Sequence, residues 1–137
     1  MTTIEQRERD YWPDPGPDST FLARRCTELR RKPMAEFTVE DLRLMLGQQI
    51  GVSDLLPLAV RVLLHDPLAE GDYYRGDLLL TVLRLPDSAW SNLRAERECV
   101  ASTVAQLAVD PQFSDPGLRP RDPNWQLRDA MARFLGR

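Results

Sequence analysis

The stretch from residue 55 to 64 limits the possible folds more than any other. It reads Leu55, Leu56, Pro57, Leu58, Ala59, Val60, Arg61, Val62, Leu63, Leu64. Wound as a helix, its apolar residues cover almost the whole circumference, and such a helix must be enclosed on most sides. It is too short to span a bilayer. The remaining chain therefore has to supply amphipathic elements that surround it. With 137 residues there is enough chain for one compact domain. A chain of this length buries roughly two-thirds of its unfolded surface, so it needs no disulfide or metal to hold a core. Ser53 is placed to cap the helix, Pro57 sits near its first turn where a missing N–H costs least, and His65-Asp66-Pro67 closes it.

The flanking sequence supplies the surrounding helices. Asp18 or Ser19 can cap a helix ending near Arg31, with Phe21, Leu22, Arg25, Cys26 and Leu29 on adjacent faces and the Lys32-Pro33 step as its stop. Thr38 caps a second helix, with Glu40 and Asp41 in its first turn and Leu42, Met45, Leu46 and Ile50 as its stripe. After the central helix, two glycines mark residues 68–77 as a loop, and Asp77 is placed to cap a short helix up to Leu85. Asp87 or Ser88 can cap a longer helix carrying Trp90, Leu93, Arg97, Val100, Val104 and Leu107 as far as Val109. Residues 110–120, with three prolines and a glycine, read as a linker. Asp122-Pro123 opens a last helix with Leu127, Ala130, Met131, Phe134 and Leu135 on its apolar face. The expectation is an all-α fold: a single compact bundle of about six helices. Residues 1–17 form a Pro-rich, poorly structured arm, residues 18–92 the helical core, and residues 93–137 a C-terminal helical extension packed on the same domain. Trp90 and Trp125 are expected as core anchors.

Charge and composition narrow the chemistry. The formal charge is −3, which disfavours a strongly basic nucleic-acid binder. One histidine and two cysteines exclude a zinc finger and a multi-disulfide scaffold. No glycine-rich phosphate loop, His-Glu-x-x-His or Cys-x-x-Cys occurs. His65 has no serine or cysteine partner nearby in sequence and reads as a helix-end residue. Glu5, Arg7, Glu8, Arg9 and Asp10 stand where a signal peptide needs an apolar run, so a cytoplasmic location is expected, with Cys26 and Cys99 as reduced, buried small hydrophobes.

The densest polar group is the loop that holds Asp66, Glu70, Asp72 and Asp77 around Tyr73, Tyr74 and Arg75. Over residues 66–77 four acids face one base, a local charge of −3. A calcium or magnesium site would need carboxylates converging on one point, and the Asp-x-Asp-x-Asp-Gly signature is not met. Two readings stand beside it. In one, the loop is a structural turn whose acids accept backbone N–H bonds and whose tyrosines plug the core. In the other, it is a contact patch for a cationic partner, with tyrosine giving rigid area and carboxylates giving steering. A second cluster, Arg24, Arg25, Arg30, Arg31 and Lys32, either touches phosphates or forms a solvated face paired with acids elsewhere.

A resemblance gives these residues a context. In order, the chain carries Arg24-Arg25-Cys26, then 37–43 as Phe-Thr-Val-Glu-Asp-Leu-Arg, then 47–51 as Gly-Gln-Gln-Ile-Gly. Leu56-Pro57-Leu58-Ala59, Asp66-Pro67-Leu68, 70–74 as Glu-Gly-Asp-Tyr-Tyr, and Gly76-Asp77-Leu78-Leu79 follow. Over roughly residues 18–92 this series resembles the immunity proteins of bacterial contact-dependent growth inhibition systems. The resemblance implies a non-enzymatic protein that stays in the producing cell. It binds and blocks the cognate C-terminal toxin domain, often a nuclease, of a large secreted effector. It implies no catalytic residue, cofactor or metal, and no nucleic acid or membrane as a direct partner; the oligomeric state is left open. A nuclease cleft is positive, and residues 36–87 hold nine acids against four arginines, a net of −5. The contact candidates are Glu70, Asp72, Tyr73, Tyr74 and Asp77. Gly47, Gly51, Pro57, Gly71 and Gly76 are candidates for fixing the fold. The alternative reading is a helical nucleic-acid-binding or regulatory protein that uses the Arg24 to Lys32 run.

Overall fold

The computed structural model describes residues 2–136; Met1 of the expected arm and Arg137 of the expected extension lie outside the described residues. Seven α-helices follow in order: α1 (Ile4–Glu8), α2 (Phe21–Arg30), α3 (Val39–Gly47), α4 (Val52–His65), α5 (Asp77–Leu83), α6 (Arg94–Leu107) and α7 (Pro123–Leu135). Short 3-10 turns at Met34–Glu36, Asp87–Trp90 and Pro111–Phe113 join them. The described residues form no strand beyond an isolated Glu70–Arg75 bridge.

Helix α4 is central, as its composition requires. It packs against α3, α5 and α6, and Leu55, Leu56, Ala59, Val60 and Leu63 are all buried. Enclosure is not complete: Leu64 remains 45% exposed beside α6. Its N-cap is Gly51 rather than Ser53. Gly51 takes a left-handed φ of +64°, and a Cβ there would lie 2.9 Å from Ile4 Cδ1. Gly51→Ala is therefore expected to cost about 1–2 kcal/mol from the backbone alone, and to lower Tm by roughly 3–8 °C as Ile4 is displaced. A thermal melt identical to that of the parent would refute this account of the junction. By contrast Gly47 is exposed, and a Cβ there would make only an ordinary 3.8 Å contact with Thr81, so nothing in its surroundings demands glycine.

The N-terminal segment departs from the expected loose arm. Residues 4–8 are helical, started by a capping box in which Thr3 Oγ1 accepts from the Gln6 N–H and Gln6 Oε1 from the Thr3 N–H. A five-residue helix is not stable alone. It persists because Ile4 is fully buried against the core and because Arg30 and Arg31 of the α2 end hold the chain that follows. Arg30 is 1% exposed: it donates to Glu8 Oε1 at 2.5 Å and to the Asp10 carbonyl, and its guanidinium lies 4.4 Å from the Trp12 ring centre. Arg31 donates to Asp14 Oδ1 at 2.6 Å and to the Trp12 carbonyl at 2.8 Å. The segment containing Pro13, Pro15 and Pro17 has no regular structure, yet its start is tied to α2 by these bonds.

Other boundaries shift for local reasons. Helix α2 is capped by Thr20, whose hydroxyl accepts from the Ala23 N–H, and this turns Phe21 out to 82% exposure, away from the expected apolar face. The helix expected from Asp87 begins at Arg94; residues 87–90 make a separate 3-10 turn that buries Trp90 against Phe134, ring centres 5.7 Å apart. Cys26 is buried, and burial raises its thiol above its ordinary pKa, whereas Cys99 is exposed. Trp125 is only half-buried and outside the main core. Helix α7 starts at the expected Asp122 cap and packs against α5 and α6 through Leu127, Ala130, Met131 and Phe134. Arg97 of α6 secures its far end, donating to the Phe134 carbonyl at 3.2 Å with its guanidinium over the Phe134 ring.

Candidate functional site

The polar loop between α4 and α5 is built on a scaffold of three helices. Asp66 caps the end of α4, and its Oδ1 accepts from the Leu68 N–H at 3.3 Å. Glu70 and Arg75 then face each other in the isolated antiparallel bridge, which closes residues 70–75 into a tight turn. Within that turn three successive amides are held from below. The Gly71 N–H donates to Asp77 Oδ1 at 2.7 Å, the Asp72 N–H to Glu40 Oε1 at 3.0 Å, and the Tyr73 N–H to Asp77 Oδ2 at 3.1 Å.

Glu40 and Asp77 reach the turn from α3 and α5. Thr38 starts α3 with a capping box to Asp41, which places Glu40 and Arg43 one helical turn apart on one face. Arg43 donates to both Glu40 oxygens at 2.6 Å, from Nε and from Nη2. The same guanidinium lies 4.4 Å from the Tyr73 ring centre, and its Nε is 3.9 Å from Asp77 Oδ2. These hydrogen bonds from Arg43 hold the Glu40 carboxyl below its ordinary value, so Glu40 is ionised at neutral pH and accepts from the loop as a full carboxylate. Burial raises the Tyr74 hydroxyl, against the pull of the nearby Arg84, so Tyr74 stays neutral.

Close packing leaves the turn little freedom. A Cβ on Gly71 would lie 2.6 Å from Glu40 Oε1 and 3.0 Å from Asp77 Oδ2. Gly76 caps α5 with φ +92°, and a Cβ there would lie 2.7 Å from Leu127 Cδ1. Helix α7 thus presses directly on the loop's end.

The five residues singled out in sequence separate into an upper and a lower set. Glu70, Asp72 and Tyr73 are exposed, Tyr73 by 70%. Tyr74 is half-buried against the core. Asp77 is 3% exposed, sits in the first turn of α5 with Gly76 as the cap, and has its oxygens turned to backbone amides. It supports the surface instead of forming it. Sequence reading missed Glu40 and Arg43 as part of this loop. Their mutual pairing is a local i,i+3 signal, but their bonds to residues more than thirty positions onward are not. Among the described residues no three His, Cys, Asp or Glu side chains converge in a way that could hold a metal ion.

The basic cluster on α2 is committed internally. Arg30 and Arg31 clasp the N-terminal segment, and Arg24 donates to the Pro17 carbonyl at 2.7 Å. Arg25 and Lys32 both reach the buried Asp41, at 3.1 and 2.6 Å. Burial alone would raise the Asp41 carboxyl, but bonds from Lys32 and the Thr38 amide, with Arg25 nearby, bring it below its ordinary value.

A family model described as CDI immunity proteins matches residues 6–100, more than half of the chain. The chain belongs to the CDI immunity proteins. Members of this family neutralise toxins, and immunity proteins are in general inhibitors without catalysis of their own. No curated protein matches the chain. The matched segment of this immunity protein contains α3, the acidic turn and α5 whole, and so the three amide bonds that hold the turn. It stops inside α6, and α7, on which Gly76 rests, lies beyond it. Among the described residues no helix of this CDI immunity protein is long and apolar enough to cross a membrane.

Proposed function

We propose that this chain acts in the cytoplasm of the producing cell. There it binds the cognate toxin domain, the C-terminal region of a large secreted effector, and blocks it by occupancy. The toxin in this reading is a nuclease, whose phosphate-binding surface is positive. The observation that carries the proposal is the outward face of the turn: Glu70, Asp72 and Tyr73 exposed together on a backbone fixed by Glu40 and Asp77. The segment 66–77 has a net charge of −3, and its outward carboxylates are Glu70 and Asp72, Asp77 being turned inward. Carboxylates at such a surface raise the encounter rate with a cationic partner and set register, while a rigid tyrosine contributes buried area. Tyr74 and Asp77 belong to the proposed site as its support. The nucleic-acid reading draws no comparable support, because Arg25, Arg30, Arg31 and Lys32 are paired with Glu5, Glu8, Glu28, Asp14 and Asp41 within the fold and Arg24 is bound to the Pro17 carbonyl.

Co-expression with the toxin domain encoded beside this chain is the direct test. The expected result is restored growth and a stable one-to-one complex on size exclusion. In the Glu70→Gln, Asp72→Asn double variant the association rate is expected to fall several-fold at low salt, with the difference shrinking as ionic strength rises. Failure to rescue growth together with failure to form a complex would remove the proposal. An association rate independent of both carboxylates would move the contact surface elsewhere.

A further inference from the structure

We infer that Tyr73 is the anchor of the partner surface, and that Arg43 is a positioning residue which fixes the Tyr73 ring for a cationic toxin surface without touching the toxin itself. The inference rests on the neutralisation reading above and says how that site reaches its affinity.

Three large aromatic side chains stand out at the surface: Tyr11 at 63%, Phe21 at 82% and Tyr73 at 70% exposure. They are not equivalent. Tyr73 has its backbone N–H bound to Asp77 and its ring stacked on the Arg43 guanidinium. Arg43 is itself fixed, since both of its Glu40 contacts are 2.6 Å and its side chain is 17% exposed. Glu40 in turn accepts from the residue just before Tyr73. The chain of contacts closes on itself: Arg43 holds Glu40, Glu40 holds the Asp72 amide, and Arg43 holds the Tyr73 ring. A ring that is already immobilised in the free protein loses little further freedom on binding, which is what distinguishes an anchor from an exposed aromatic. Nothing in the folded chain buries the outer part of the ring, and Glu70 and Asp72 beside it favour a partner bearing lysine or arginine around an apolar recess.

Arginine is required for this arrangement. Its planar fork can chelate Glu40 along one edge while offering a flat face to Tyr73, and the ammonium of lysine has neither the fork nor the face. The effect of Arg43 should therefore pass through Tyr73 and appear in dissociation.

The experiment is surface plasmon resonance of the purified chain against the co-encoded toxin domain, on the parent, Tyr73→Ala, Arg43→Lys and the double variant, with thermal melts of all four. Tyr73→Ala is expected to weaken binding about 30-fold, the scale of an interface anchor. Arg43→Lys is expected to raise the dissociation rate about 5-fold with the association rate nearly unchanged, because tuning within one interface falls mostly on dissociation. In the Tyr73→Ala background Arg43→Lys should add nothing further to the dissociation rate, whereas its effect on Tm should persist. A purely structural Arg43 would instead act on binding equally in both backgrounds, and that result overturns the inference. So does a complex unaffected by Tyr73→Ala, even though neutralisation itself would stand. If the parent forms no complex with the toxin domain, the neutralisation reading fails and takes this inference with it.

Discussion

Deleting everything after residue 110 is expected to abolish the cooperative fold, although the family match ends at residue 100. The deleted part holds Phe113, Leu127, Met131 and Phe134, each no more than 1% exposed. Fully burying one such side chain contributes about 1.5–3 kcal/mol, so the four together contribute roughly 6–12 kcal/mol, comparable to the whole stability of an average domain. The loss does not stop there. Trp90 would lose the Phe134 ring it packs on, and the α5 face under Gly76 would lose Leu127. Circular dichroism and a thermal melt of the truncated chain check this. The expected trace has reduced helix signal and no sigmoidal transition. A cooperative transition within a few degrees of the full chain would show that α7 is an accessory element.

The next largest effect is expected at Asp77. Replacing it with alanine leaves the Gly71 and Tyr73 amides without their acceptors, both in partly buried hydrogen bonds. An orphaned buried donor costs about 1–3 kcal/mol, and two partly buried ones together should cost about 2–4 kcal/mol. For a chain of this size that corresponds to a fall in Tm on the order of 10 °C. Asp77→Asn keeps one acceptor oxygen and is expected to lose about half as much. Hydrogen exchange adds a local readout: the Gly71 and Tyr73 amides should both exchange faster in Asp77→Ala, and one of the two in Asp77→Asn, with the α4 amides unchanged in Asp77→Asn. Full protection of those two amides in Asp77→Ala would mean that the turn is held by something other than this carboxylate.

The central helix, the Thr38 and Asp122 caps and the all-helical class were legible in the chain, because each depends on residues within one or two turns of one another. The site was legible only in outline. Glu70, Asp72, Tyr73, Tyr74 and Asp77 stood out as polar residues close together in sequence, but their neighbourhood could not say that Asp77 turns inward while Glu70 turns outward. That division is set by Glu40 and Arg43, which approach from α3, and by Leu127, which closes on Gly76 from α7. The N-terminal helix shows the same limit from the other side. Its capping box, Thr3 with Gln6, is a readable signal, yet a helix of one turn and a half forms only because Ile4 finds the core and Arg30 binds Glu8, twenty-two residues away.

Local periodicity and capping thus determined which segments coil and which helix lies innermost, since hydrogen bonds within a helix and the placement of its apolar stripe are short-range properties of the chain. Tertiary structure alone decided which charges are spent inside. A carboxylate or guanidinium is stable in the interior only where partners are supplied, and no short stretch of sequence contains both halves of the bonds that join Glu40 to Asp72, Arg30 to Glu8 and Asp41 to Arg25.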